Sequence, residues 1–253
     1  MEMLELFEDI TLEDVVLNKV CVGKVVGCKD MPASVVKKIL TDGVMGFFFV
    51  EEDDCAFVLE KRPWIVNGVL LNLKPWSVEG EVRVAEFEVA SFWVQFHGLP
   101  TRFLKDENAA IMGKKVGSFL KTDGKSKEVL VHRGYLCAYV DVWLKHPIPA
   151  GFFLNDDGKL ESWIQFKYEK LPHLCFNCGK LAHWNKECFV PLAMVTPKVG
   201  EAVQMSGTWI KSETGRVNCF TMKGKGVSKL IVDNGDAPEW DLNGKHRRGT
   251  WKR

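Results

Sequence analysis

Apolar residues fall in short runs along the chain, each closed by Gly, Pro or an acidic turn, and their spacing predicts alternating strands and helices. Val20 to Val26 reads as a strand. Asp30 then caps a helix with Pro32 in its first turn, and Gly43 follows the last periodic residue as its stop. Gly46 to Val50 is a short buried strand. Glu51 to Lys61 is a helix whose acidic first turn, Glu51 to Asp54, suits the positive end of the helix dipole and whose end is set by Pro63. Val69 to Leu73 closes a first half of order strand, helix, strand, helix, strand.

A second half begins with a strand at Phe92 to His97 and continues through a helix from about Lys105 to Phe119. Gly134 to Leu144 is the clearest strand because its faces separate by period two. Leu136, Ala138, Val140, Val142 and Leu144 form one face, and Tyr135, Cys137, Tyr139, Asp141 and Trp143 the other. Pro147 and Pro149 stop it. Phe152 to Leu154 and Glu161 to Tyr168 are two further strands, separated by the turn Asn155 to Gly158. No internal sequence repeat stands out. The pattern predicts an α+β domain over residues 10–170, with an RNA-recognition-like sheet as one form it can take, then a small metal module at 171–190. Residues 191–253 are sparse in periodic apolar positions and read as a variable, flexible tail.

Charge sharpens that division. The 34 Lys and Arg nearly balance the 33 Asp and Glu, so any attraction for a polyanion has to be local. Phe189 to Arg253 holds 11 of the former and 6 of the latter, net +5, which leaves residues 1–188 at −4. The opening 1–18 lacks the pattern of a secretory signal, and no run approaches the ~18 apolar residues of a membrane span. The expectation is a soluble intracellular protein, nuclear or cytoplasmic, with reduced cysteines.

Four residues carry the most specific chemistry. Cys175, Cys178, His183 and Cys188 stand in Cys-x2-Cys-x4-His-x4-Cys spacing, which suits one Zn2+ in a closed, structural tetrahedron. Gly179 lets the backbone reverse after the second cysteine. A loop this short has no apolar core of its own, so metal binding is expected to supply its folding free energy. His173 is close enough to compete as a ligand but reads as a solvated linker residue. Phe176 and Trp184 are candidate platforms for unpaired bases, and Lys180 and Lys186 are further candidate nucleic-acid contacts that, with Lys170, offset the site's charge of about −1. The alternative is that these rings pack on each other or on the preceding domain.

Beyond the knuckle spacing, the chain resembles a large plant family of retrotransposon-derived proteins, similar to the first open reading frame of LINE-type elements. In that family a domain of unknown function precedes a zinc knuckle of this spacing. The resemblance is carried by Val22-Gly23-Lys24, Leu59-Glu60-Lys61-Arg62-Pro63-Trp64, Phe92 to Pro100 and Phe166 to Pro172, and covers roughly Ile10 to Cys188. It implies nucleic-acid binding. Two departures stand out: only Gly43 to Gly46 remains where the family has another strand and turn, so the first half looks shortened, and Ala182 replaces a common Gly.

Other constellations are weaker. Trp93, Gln95, His97, Trp163, Gln165 and Lys167 can share a sheet face with Tyr135, Tyr139 and Trp143, as base-stacking sheets do, or another layer of the protein can cover that face. Cys21, Cys28, Cys55, Cys137 and Cys219 have no partner at ligand spacing and default to core residues or ordinary thiols. No catalytic motif is present. The sequence therefore predicts a non-enzymatic binder of single-stranded RNA or DNA, without a small-molecule substrate or membrane, the alternative being a protein-docking or particle-assembly module.

Overall fold

Two five-stranded antiparallel sheets carry the chain, each with helical or looped segments against it. The structure is a computed structural model that describes residues 19–26, 39–41, 43–66, 68–76, 83–155, 162–215 and 217–221. The acidic opening, most of the helix expected from Asp30, Cys28, the turn after Asn155 and the basic cluster at Lys245 to Arg248 lie outside the described residues. The described chain up to Cys219 belongs to one compact unit.

The first sheet contains β1 (Val20–Val26), β2 (Ile39–Thr41), β3 (Val44–Phe48), β4 (Trp64–Val66) and β5 (Val69–Pro75), in the order β2-β3-β1-β5-β4. β1 has buried residues on both faces, which is why it reads as a continuous apolar run. Val20 and Val22 pack with Val44, Trp76 and Phe87, while Cys21 meets Leu73 and Cys55 of α1 (Glu52–Glu60). The acidic residues Glu52, Asp53 and Asp54 do occupy the first turn of α1.

The second sheet contains β6 (Val89–His97), β7 (Ser118–Thr122), β8 (Tyr135–Trp143), β9 (Gly151–Leu154) and β10 (Ser162–Tyr168), in the order β7-β8-β6-β10-β9. Ala90, Phe92, Val94 and Phe96 join Leu136, Ala138, Val140 and Val142, then Ile164, Phe166 and Tyr168, in the largest core. Ala109 and Met112 of α2 (Asp106–Gly113) cover them. In both sheets the strands run second, third, first, fifth, fourth. The two halves thus share one topology although their sequences show no repeat.

Several expectations are corrected. Ile39 to Thr41, read as the end of the first helix, is a strand whose Thr41 pairs with Val44. Gly43, just before β3, takes φ +75. A short strand therefore precedes β3 in the first half. The helix expected to Phe119 ends at Gly113, because the chain must turn back along β8. A Cβ on Gly117 would lie 2.0 Å from the Asp141 carbonyl, so that turn can press against β8 only as glycine. The structure adds β4, β7 and α3 (Lys127–Arg133), the last with Ser126 at its N-cap and left-handed Gly134 at its C-cap.

The chain after the knuckle is not simply a flexible tail. Met194–Val195 (β11) pairs with Val203–Gln204 (β12), and two 3-10 turns follow at Thr208–Ile210 and Ser212–Thr214. Ile210 is fully buried in the large core, with Met205 and Trp209 packed beside it. Isolated apolar anchors of this kind give no period to read. Among the described residues, no helix is long and apolar enough to cross a membrane.

Candidate metal centre

β10 delivers the chain to the site. Leu171 and Pro172 are buried after the turn at Lys170, and Leu174 then bridges antiparallel to Leu181. Both leucines enter the large core, so the loop between them is clamped at its base. Within it, the Cys175 N–H donates to the Lys180 carbonyl at 2.9 Å, and the Gly179 N–H donates to the Cys175 carbonyl at 2.8 Å. Gly179 takes φ +73, the reversal its position predicts. Its carbonyl accepts the Ile148 N–H at 2.8 Å, tying the loop to the segment after β8. Farther on, the Asn185 side-chain oxygen accepts the Phe176 N–H at 2.8 Å, and a 3-10 turn over Asn185–Glu187 brings Cys188 round.

These bonds converge four donors. The ligand atoms of Cys175, Cys178, His183 and Cys188 all lie within 4.8 Å of one another. The Cys178 Sγ stands 3.3 Å from His183 Nδ1. Around one tetrahedral zinc, ligand atoms stand about 3.5–3.8 Å apart, as follows from Zn–S and Zn–N bonds of ~2.3 and ~2.0 Å. The cluster is therefore of the size one ion spans, and its soft and borderline donors suit zinc. Three thiolates and a neutral imidazole around a divalent ion leave a net charge of about −1.

Comparison with known proteins decides what this segment is. Residues 153–190 match the family model described as a zinc knuckle. This segment is a zinc knuckle. The matched stretch begins in β9, so the β9–β10 pair and the knuckle are recognised together. An uncharacterized protein of Arabidopsis thaliana is 25% identical over 149 residues, covering 57% of this chain and 44% of that protein. The chain thus spans under half the length of that relative. No solved structure matches.

The knuckle is not an isolated bead. Phe176 packs against the large core, and its carbonyl accepts the Gln204 side-chain N–H at 3.2 Å. That ring is partly committed to the protein. Trp184 is 53% exposed and stacks on His173, with ring centroids 3.9 Å apart and planes 30° from parallel. Lys180 and Lys186 are exposed. His173 is not the solvated linker residue its position suggests. It is partly buried, its N–H donates to the Gly68 carbonyl at 3.2 Å and its carbonyl accepts from Ala182 at 3.0 Å. Its Nε2 is buried with no hydrogen-bond partner among the described residues. Burial, and after it the charge of Lys211, lowers its pKa. Spacing marked the four ligands, but only the fold brings Lys211 to a pocket shared with His173 and Trp184.

The aromatic face of the second sheet is divided. Trp93 lies 5.0 Å from Tyr139, with the Lys121 Nζ within 6 Å of both rings, and His97 stacks on Tyr135 at 4.6 Å beneath the Arg133 guanidinium. The β10 side is covered: Lys167 is fully buried, and its ammonium donates to the Trp209 carbonyl at 2.7 Å and the Thr214 hydroxyl at 2.9 Å. Burial pulls its pKa down to about 8. Cys21, Cys55, Cys137 and Cys219 are buried as core residues, and burial raises the thiol pKa of Cys21, Cys55 and Cys137.

Proposed function

We propose that this protein binds unpaired nucleic acid, RNA or DNA, through its zinc knuckle, as a non-enzymatic member of the retrotransposon-derived plant proteins that it resembles. The carrying observation is the Trp184 ring, exposed yet held against His173 beside a donor set suited to zinc. An indole fixed in orientation offers a π-face to a splayed base, worth ~1–3 kcal/mol per base, without ordering a mobile side chain first. Exposed Lys180 and Lys186 supply phosphate attraction. The excess charge after residue 188 adds to it. The donor count supports a structural rather than a catalytic zinc, since four protein ligands complete a tetrahedron.

One observation favours a second reading. Phe189 is 98% exposed, and Val190, Leu192 and Met194 are exposed after it, an apolar run suited to docking another protein. Titration of a labelled single-stranded oligonucleotide at several salt concentrations separates the two. The nucleic-acid reading expects affinity that falls steeply with salt and is lost in Cys178→Ser. Equal binding by Cys178→Ser, or no binding at low salt, contradicts it.

A further inference from the structure

A pocket of about 200 Å³ lies where the knuckle meets the first sheet. Ala182 and Trp184 line it from the knuckle, Gly68 and Val69 from the link between β4 and β5 and the start of β5, and His173 and Lys211 are also among its lining residues. Its volume is below the ~300 Å³ at which pockets for drug-sized ligands begin, so it suits one small group.

Two features define that group. It has a flat face, because Trp184 presents an exposed indole whose orientation the His173 ring fixes. It is attached to an anion, because Lys211 brings an ammonium to the same pocket. The delivery of Lys211 is structural. Tyr168 bridges to Lys211 at the end of β10, and the buried Lys167 ammonium holds the turns on either side of it through Trp209 and Thr214.

We propose that this pocket receives a single unpaired nucleobase, stacked on Trp184, with the adjoining phosphate held by Lys211; the assignment rests on the nucleic-acid reading above. The binding site then extends beyond the knuckle, with one side supplied by the first sheet and its cation by the segment after the knuckle. An aromatic side chain of a partner protein shares the flat face but carries no phosphate for Lys211.

The test uses the full zinc-loaded chain and a short single-stranded RNA of mixed sequence, titrated across salt. Lys211→Gln is expected to weaken binding roughly 3- to 10-fold and lower the salt slope by about one, while Lys211→Arg retains both. Val69→Trp, which fills the pocket from the sheet side, is expected to weaken binding with zinc content unchanged. If Lys211→Gln and Val69→Trp bind as wild type while Cys178→Ser does not, the pocket is not the base site and the knuckle reading stands. If Cys178→Ser also binds as wild type, the nucleic-acid reading itself fails. Equal loss of affinity in Lys211→Gln and Lys211→Arg, with an unchanged salt slope, overturns the phosphate role of Lys211.

Discussion

Ala182 sits in the left-handed region at φ +56, next to the ligand His183. There the Cβ crowds the following carbonyl at a cost of about 1–2 kcal/mol, which Gly avoids at an entropic cost of about 0.5–1 kcal/mol. Ala182→Gly is therefore predicted to stabilise the zinc-loaded protein by about 0.5–1 kcal/mol in denaturant unfolding. A loss of stability instead would mean that the methyl, which lines the pocket beside Trp184, contributes more than the strain costs. The ligand set was legible at this scale because a metal imposes spacing directly on sequence. His173 was not: it acts through Trp184 and Gly68, one reached through the knuckle turn and the other through a distant strand link.

Lys167 shows what elements add. On β10 it alternates with the core residues Phe166 and Tyr168, so period two alone places it on the opposite face, and only the returning 3-10 turns explain its burial. Its depressed pKa has a defined sign. Between about 8 and the ordinary lysine value the folded state binds fewer protons than the unfolded state, so this group's contribution to stability rises with pH across that window. The buried Cys21 thiol, pushed up to about 12, acts oppositely above its ordinary value of 9.0, so the wild-type curve mixes the two. The difference in unfolding free energy between wild type and Lys167→Met isolates the lysine. It is predicted to shift in favour of wild type by about 1–3 kcal/mol from pH 8 to 10.5, and a flat difference contradicts the assignment. Strands β1 and β8 were readable because each carries a run or alternation set by its own burial. α2 was overextended and β7 missed because Gly113 and Gly117 end the helix through contacts with β7 and β8, which no local period records.

Taken whole, the molecule repeats one strand order twice and places the knuckle at the end of the second copy. The class of fold was legible, whereas the shared topology was not, because strand order depends on pairing between distant segments while residue identity is free to drift. The same embedding changes the expected effect of metal removal. Leu174, Leu181 and Phe176 are held by a core that contains none of the four metal ligands, so chelation is predicted to release the ligand loop and leave both sheets folded. That separates metal from fold and gives the most direct test of the central claim. Oligonucleotide affinity should be measured on one preparation as zinc-loaded, chelated and zinc-restored protein, with far-UV circular dichroism recorded in each state. The prediction is nearly unchanged dichroism, affinity for unpaired RNA or DNA lost on chelation and regained with zinc; undiminished affinity in the chelated protein would contradict it.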